Sequence, residues 1–265
     1  MTIIQSLILG LIEGLTEFLP ISSTAHLIIT ANWLKIPDSE SLKSFLIAIQ
    51  LGAILSVAVL YAKTIIKSPK LIWKIAAAFI PTSIIGLAAY KLVKGYLMES
   101  LPIIAGALII GGLILIILEK YFSKKALTST VIKQPNEAEL SAITYRQAAI
   151  IGAYQALAVV PGVSRSAATI MGGLSLGISR KNIIEFSFLL AMPTMLAATA
   201  FDLYKNPPIL SNQEIIVWAL GFVMAFITAI LGIKFFLHYI QKNNFIIFGW
   251  YRIVAGLIIT AYILL

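Results

Sequence analysis

Six apolar segments recur along this chain, each close to the length that a helix needs to cross a bilayer. They are residues 45–61, 75–90, 101–118, 183–200, 215–236 and 245–264. A spanning helix takes about 17 to 25 residues, and its backbone polar groups must be satisfied within the helix. With 60% hydrophobic and only 12% charged residues, the composition lies outside the range of soluble domains. The sequence therefore predicts an all-α polytopic membrane protein, folded as a single membrane domain over residues 1–265.

The basic residues indicate how the chain is oriented. The net charge is +9, but most Lys and Arg fall in short loops between apolar segments, a pattern that orients membrane proteins and attracts anionic lipid rather than nucleic acid. Two loops are rich in basic residues and are predicted to be cytoplasmic. The first carries Lys63, Lys67, Lys70 and Lys74, and the second, residues 119–146, carries Lys120, Lys124, Lys125, Lys133 and Arg146. The loop at residues 35–43 is balanced in charge and is predicted to lie outside.

Two further apolar stretches are short for a span and are interrupted by proline. Residues 3–18 stop before Pro20 and apolar sequence resumes at 25–36, whereas residues 147–160 break at Pro161 and resume at 166–178. Two short helices around a break favour a re-entrant hairpin, with the irregular tip buried in protein. A pair of full spans at each place would give the same topology, so segment length alone favours the hairpins.

The second half of the chain repeats the plan of the first. A shift of 142 residues places Gln147 on Gln5, Gly152 on Gly10, Gln155 on Glu13 and Ser164 on Ser22. The repeats are residues 1–118 and 147–265, and each has one hairpin and three spans. Because three is an odd number of membrane crossings, one repeat is inverted relative to the other. Loop charge then predicts both termini outside, the first hairpin entering from outside and the second from the cytoplasm. Broken helices of inverted repeats meet near the midplane, where a site is expected.

The first hairpin contains two carboxylates in an otherwise apolar stretch. Glu13 and Glu17 lie four residues apart and share one helix face. Like charges in a hydrophobic setting repel, so a proton or a bound divalent cation is needed between them. The alternative is that both glutamates only bond to neighbouring helices.

Hydroxyl residues and a histidine follow the first proline break. Ser22, Ser23 and Thr24 stand where a new helix begins, and a helix N-terminus presents N–H groups and positive dipole to an anion. Capping alone is an equally good interpretation for Ser22 and Thr24. Ser23 is the candidate nucleophile, with His26 three residues later as its partner in proton transfer. The other histidine, His238, is predicted to be interfacial and inert.

The second hairpin repeats this arrangement with an arginine. Residues 161–169 read PGVSRSAAT, and Arg165 occupies the position equivalent to Ser23. Its guanidinium can bind a phosphate through a planar fork of donors, or simply pair with the glutamates. Two helix N-termini, an arginine, hydroxyls and an acidic pair describe a site for a phosphorylated anion, with a divalent cation, Mg²⁺ or Ca²⁺, bridging Glu13, Glu17 and phosphate oxygens.

These two motifs, EGLTEFLPISSTAH at residues 13–26 and PGVSRSAAT at residues 161–169, resemble those of the undecaprenyl-diphosphate phosphatase family, the bacitracin-resistance membrane phosphatases of bacteria. The resemblance implies hydrolysis of a polyprenyl diphosphate, undecaprenyl diphosphate, to undecaprenyl phosphate with a divalent cation. This reaction recycles the lipid carrier for cell-wall synthesis. It also implies a place in the bacterial cytoplasmic (inner) membrane and an active site that faces the extracytoplasmic side.

The family's site residues are carried over by motif position. The resemblance implies that Glu13 and Glu17 are the acidic metal-binding pair, that Ser23 and His26 are the nucleophile and its proton-transfer partner, and that Arg165 binds phosphate. The surrounding polar positions, which would complete the phosphate site, are Ser22, Thr24, Ser164, Ser166 and Thr169. Ala167 departs from the family, which usually has glycine there. A methyl group at this position leaves less room for a phosphate to come close to the backbone, but it removes no reactive group.

Three alternatives remain open from the sequence. Water activated by Glu17 or His26 could replace Ser23 as the nucleophile. A transporter of an anion could use the same inverted repeats without any nucleophile. A homodimer is possible, but Gly106, Gly111 and Gly112 favour close helix packing within the fold over packing between subunits.

Overall fold

The computed structural model describes residues 1–92, 97, 100–126, 140, 142–205, 207 and 210–264. Over those residues the regular secondary structure is helical. The first half forms α1 (Ile3–Thr16), α2 (Ser23–Trp33), α3 (Glu40–Lys67), α4 (Pro69–Leu92) and α5 (Leu101–Ala126). The second half forms α6 (Tyr145–Ala156), a 3-10 turn (Leu157–Val159), α7 (Arg165–Ser175), α8 (Arg180–Lys205), α9 (Asn212–Lys242) and α10 (Ile246–Leu264).

Six of these helices are long and apolar enough to cross a membrane, as the sequence predicted. They are Glu40–Lys67, Pro69–Tyr90, Leu101–Tyr121, Arg180–Lys205, Asn212–Lys242 and Ile246–Leu264. Five of the six extend beyond the apolar segments from which they were predicted. The prediction of a basic loop between the first two spans was wrong in extent, because only Ser68 separates α3 from α4 and the four lysines lie on the helix ends. Long basic side chains can reach the interface from such positions, so charge did not mark where the helix ends.

The second basic loop, predicted at residues 119–146, is also shorter than predicted at both ends. Helix α5 continues to Ala126 and α6 begins at Tyr145. Of the predicted cytoplasmic loop 119–146, residues 127–139 and 141 lie outside the described residues, and the position of Lys133 is among them.

The four short helices lie in two pairs, each interrupted at a proline. Proline lacks an N–H and disfavours helical geometry in the residue before it, which accounts for the end of α1 ahead of Pro20 and of α6 ahead of Pro161. Ser22 and Ser164 precede α2 and α7, and both have a φ of 71°. This left-handed conformation costs a non-glycine residue roughly 1–2 kcal/mol. Backbone strain of this kind concentrates at functional sites.

The short helices are held by close contacts between small residues. Helix α1 packs on α9, where a Cβ at Gly10 or Gly14 would overlap the backbone of α9. Helix α6 packs on α4, where a Cβ at Gly152 would overlap Ala78. Glycines let backbones approach closely enough for dispersion and weak polar contacts to hold helices together in a membrane. Each short pair is therefore held against a span from the other half of the chain.

Helices α5 and α10 also pack together over much of their length. Gly111 and Gly112 of α5 face Arg252 and Gly249 of α10, so these two glycines pack inside the fold, in line with the sequence interpretation. Gly106 is different, because a Cβ there would meet no atom of the described residues within 4 Å.

Candidate active site

Glu17 joins the two broken helix pairs. One carboxylate oxygen, Oε1, lies 2.8 Å from Nη2 of Arg165, and the other, Oε2, accepts a short hydrogen bond from Oγ of Ser23. Glu17 follows the last residue of α1, Ser23 begins α2, and Arg165 begins α7. The Glu17 and Arg165 side chains are only 5% and 10% exposed. A single buried carboxylate therefore contacts the candidate nucleophile and the candidate phosphate-binding arginine at the same time.

Contacts with the protein hold the Arg165 guanidinium but leave one of its N–H donors available to bind a ligand. Its Nη1 donates to the carbonyl oxygen of Ser187, at 3.0 Å, and lies 3.4 Å from the Ser187 hydroxyl. The guanidinium carbon lies 5.7 Å from the ring centre of Phe18, within the range of a cation–π contact. Its Nε is buried and has no hydrogen-bond partner among the described residues. Buried N–H groups are nearly always paired in proteins, so this donor is a candidate for binding an anion.

Glu13 is a completely buried carboxylate, and neither of its oxygens has a hydrogen-bond partner among the described residues. The groups that act on it electrostatically are Glu17, Arg165 and Ser23. Burying an unpaired carboxylate is costly unless a proton or a cation compensates the charge. Carboxylate oxygens are the ligands that Mg²⁺ and Ca²⁺ prefer, so the orphaned oxygens of Glu13 beside Glu17 fit a hard divalent cation. Among the described residues no group of three acidic, histidine or cysteine side chains could hold a metal, so the two glutamates would need further ligands of another kind.

The hydroxyls after the second break serve the protein's own structure. Ser164 caps α7 by accepting from the N–H of Ala167 at 3.2 Å. Ser166 donates to the carbonyl oxygen of Phe18 at 2.9 Å, which ties the second half to the first. Thr169 and Ser187 exchange a hydrogen bond of 2.5 Å beneath Arg165. Ser164, Ser166 and Thr169 were predicted phosphate ligands, and the structure places them near Arg165 with hydrogen bonds to the protein itself.

The hydroxyls after the first break are differently placed. Ser22 is buried and is the N-cap of α2, but its side chain makes no capping hydrogen bond. Thr24 is half-buried in the first turn of α2. The capping interpretation is therefore wrong for Ser22.

His26 contacts groups other than Ser23. Its Nδ1 lies 2.7 Å from the carbonyl oxygen of Ser22, and its Nε2 lies 2.6 Å from the hydroxyl of Tyr251. The two rings are stacked, with an angle of 8° between them. Because a carbonyl only accepts, Nδ1 carries a proton, and in the neutral ring Nε2 accepts from Tyr251. Proton transfer between Ser23 and His26 stays a prediction, and the described hydrogen bond of Ser23 goes to Glu17.

A largely apolar cavity of about 420 Å³ opens beside His26 and Tyr251. It lies between α1, α2, α5 and α10, and its apolar walls include Ile12, Leu15, Ile29, Trp33, Ala255 and Ile259. An apolar lining of this kind suits a hydrocarbon chain better than a charged group.

Sequence reasoning missed three residues at this site. Arg252 is completely buried, and its guanidinium reaches the backbone of both breaks. It could have been found, because an arginine inside the apolar segment 245–264 is a functional candidate by default. Tyr251 and Ser187 carry no such signal, since tyrosines and serines are common in spanning helices. His238, predicted to be inert, is exposed near the end of α9.

Comparison with known proteins shows the family of this chain. Residues 6–258 match the family model described as bacitracin resistance protein BacA. The chain is 46% identical over 264 residues to the undecaprenyl-diphosphatase of Aquifex aeolicus, covering 100% of both chains. It is 44% identical to that of Wolinella succinogenes, with 99% of each chain covered, and 46% identical to that of Campylobacter jejuni strain 81-176, with 96% of this chain and 92% of the relative covered. The chain belongs to the bacitracin resistance protein BacA family.

Proposed function

We propose that this chain is a membrane phosphatase that hydrolyses undecaprenyl diphosphate to undecaprenyl phosphate and inorganic phosphate. The observation that carries the proposal is the buried cluster in which Glu17 contacts both Ser23 and Arg165. The full-length relatives bear the name of this activity. The reaction returns the lipid carrier to cell-wall synthesis, and such recycling counters bacitracin.

The terminal phosphate of the substrate binds between the two breaks. Arg165 donates from its unpartnered Nε, and the N-termini of α2 and α7 add N–H groups and positive dipole. Ser22, Thr24 and Ser164 lie at the same helix starts. The polyprenyl tail enters the apolar cavity beside Tyr251. This placement keeps the reacting diphosphate at the polar end of the cavity.

Glu13 and Glu17 bind a divalent cation, Mg²⁺ or Ca²⁺. Support comes from the buried and unpartnered oxygens of Glu13 next to a second carboxylate. When bound, the cation supplies positive charge that offsets repulsion between these carboxylates and the diphosphate.

Ser23 is the proposed nucleophile. Its Oγ forms a bond to the terminal phosphorus while the bond from that phosphorus to the bridging oxygen breaks, and undecaprenyl phosphate leaves with that oxygen. The Ser23 proton passes to Glu17, with which the hydroxyl already shares a hydrogen bond, or to His26 after a change in its contacts. Water then attacks the phosphoserine, releases inorganic phosphate and restores the hydroxyl. Direct attack by water, activated by Glu17 or His26, gives the same products without a phosphoserine.

The two broken helix pairs are proposed to be re-entrant hairpins of an inverted repeat. Equivalent positions share local structure, because Thr2 with Gln5 and Thr144 with Gln147 form the same capping box ahead of α1 and α6. Packing also corresponds across the halves, since α1 lies on α9 as α6 lies on α4. We place the protein in the bacterial inner membrane, with both termini and the site on the extracytoplasmic side.

The decisive experiment is phosphate release from undecaprenyl diphosphate by purified protein in detergent. Release with Mg²⁺ or Ca²⁺ that stops with EDTA and returns on adding the cation supports both the activity and the cofactor. Ser23→Ala separates the two chemical routes. If activity and the trappable phosphoserine are both lost, the serine is required for the reaction. If activity stays near that of the parent, water is the nucleophile. A folded protein that releases no phosphate would exclude the enzyme and favour the transporter interpretation.

A further inference from the structure

Arg252 of α10 contacts both breaks although it belongs to neither motif. Its Nη1 donates to the carbonyl oxygens of Pro20, at 3.2 Å, and Val163, at 2.9 Å. Its Nη2 donates to the carbonyl oxygens of Gly162, at 3.0 Å, and Ala107 on α5, at 3.1 Å. One side chain therefore connects the first break, the second break and a spanning helix.

Each described hydrogen bond of this buried guanidinium goes to a main-chain carbonyl. Three of the four carbonyls lie in the breaks, outside α1, α2, α6 and α7. In a membrane, carbonyls released from a helix need donors from the protein, because lipid offers none. A charged donor forms stronger hydrogen bonds than a neutral one, and the planar fork of arginine can serve several carbonyls at fixed angles.

The breaks lead directly into the reacting groups. Pro20 stands three residues before Ser23, and Val163 stands two before Arg165. We propose that Arg252 is a positioning residue, which holds the two breaks at a fixed separation so that Ser23 and Arg165 meet at Glu17. This inference rests on the proposed phosphatase function for its kinetic consequence, but its geometric consequence does not depend on that function.

Helix α5 provides the space that the guanidinium needs. A Cβ at Gly111 would overlap Nη2 of Arg252, so even a methyl group there displaces the side chain. Gly106, one and a half turns earlier on the same helix, has no described atom within 4 Å of such a Cβ. Gly111→Ala therefore disturbs Arg252 without removing its charge, and Gly106→Ala is the matched control.

The separation of the breaks can be measured independently of catalysis. Because the chain contains no cysteine, Leu15→Cys at the end of α1, before the first break, and Leu157→Cys beside the second break place two spin labels, both at exposed positions, with no background. We expect the distance distribution from electron paramagnetic resonance to broaden or shift in Arg252→Gln and in Gly111→Ala, and to remain unchanged in Gly106→Ala.

The kinetic measurement uses the unlabelled variants with undecaprenyl diphosphate. A misplacement of about 1 Å costs on the order of 100-fold in rate, so Arg252→Gln is expected to lower kcat by about that factor while KM changes less than about threefold. Arg252→Lys keeps the charge with fewer directed donors and is expected to recover part of kcat. Should Arg252→Gln not give folded protein, Arg252→Lys and Gly111→Ala are held to the same criteria.

The proposal is overturned if folded variants keep kcat within about threefold of the parent and leave the distance distribution unchanged. It is also overturned if Gly106→Ala changes both as strongly as Gly111→Ala. If the parent protein itself releases no phosphate, the proposed function fails, and the distance measurement still decides the role of Arg252.

Discussion

At the scale of single residues, the site depends on one carboxylate with two partners. Glu17 accepts from Ser23 through one oxygen and pairs with Arg165 through the other. A carboxylate that orients a nucleophile in this way can also take its proton. Glu13 lacks such partners among the described residues, so the two glutamates have different surroundings despite their shared helix face.

Glu17→Gln is expected to lower kcat by about 10² to 10⁴-fold, because the amide cannot take a proton from Ser23 and leaves Arg165 without its counter-charge. The measurement is steady-state phosphate release at saturating substrate and cation. Glu214→Gln is the control, since Glu214 is a half-buried acid in the capping box of α9, far along the chain from the motifs. Activity of Glu17→Gln within about threefold of the parent would contradict this role.

Tyr251→Phe removes the hydrogen bond to Nε2 of His26 and keeps the stacked ring. A neutral hydrogen bond contributes about 0.5–1.5 kcal/mol, so we expect kcat/KM to fall about 2- to 13-fold. Tyr262→Phe, which changes another tyrosine of the same cavity, is expected to stay near the parent value. Equal effects of the two changes would indicate that the cavity lining, and not the contact with His26, is responsible.

The sequence predicted most of this site because charged and hydroxyl groups are conspicuous in apolar segments. Glu17, Ser23 and Arg165 were each expected from their motifs, and the structure brings them into contact. The sequence could not show that Ser23 bonds to Glu17, because that pairing depends on the path of the backbone between α1 and α2. It could not show that His26 bonds to Tyr251, because that pairing depends on how α10 packs. Arg252 stood out as an arginine inside an apolar segment, but its partners could not be predicted, because they are backbone carbonyls that carry no sequence signal.

At the scale of helices, the position of Glu17 depends on how α1 seats against α9. Gly14, three residues before Glu17, faces Thr228 and the backbone of Ala225 so closely that a Cβ would overlap them. The sequence indicated a short helix here and a break at Pro20. It could not identify the partner helix, since apolar surfaces of spanning helices are chemically alike and small residues decide their packing.

Gly14→Ala is therefore expected to destabilise the protein by about 1–3 kcal/mol and to reduce phosphate release, because α1 must move away from α9 and carry Glu17 with it. Thermal unfolding in detergent, followed together with activity, measures both effects. Gly86→Ala is the control, since the nearest atom to a Cβ there is 4.0 Å away. A Gly14→Ala protein as stable and active as the control would show that the contact between α1 and α9 does not position the site.

At the scale of the whole molecule, the asymmetry of charge predicts a direction in the membrane. The turn between α3 and α4 carries four lysines on its flanking helix ends, whereas the segment between α2 and α3 contains Asp38 close to Lys43. Basic segments remain on the cytoplasmic side far more often than balanced ones. There are six spans in all and a pair of short helices in each half, so this direction predicts that the first pair enters from the outside. Its cluster would then be accessible to a lipid diphosphate on that side.

Cysteine labelling tests that direction, because the chain contains no cysteine of its own. Pro37→Cys and Lys70→Cys introduce single thiols at exposed positions on the two predicted sides. In spheroplasts we expect a membrane-impermeant maleimide to label Pro37→Cys, whereas Lys70→Cys should react only after the membrane is opened. The opposite pattern would reverse the topology and place the first break toward the cytoplasm. Because both thiols are compared in opened membranes first, unequal intrinsic reactivity cannot produce either result.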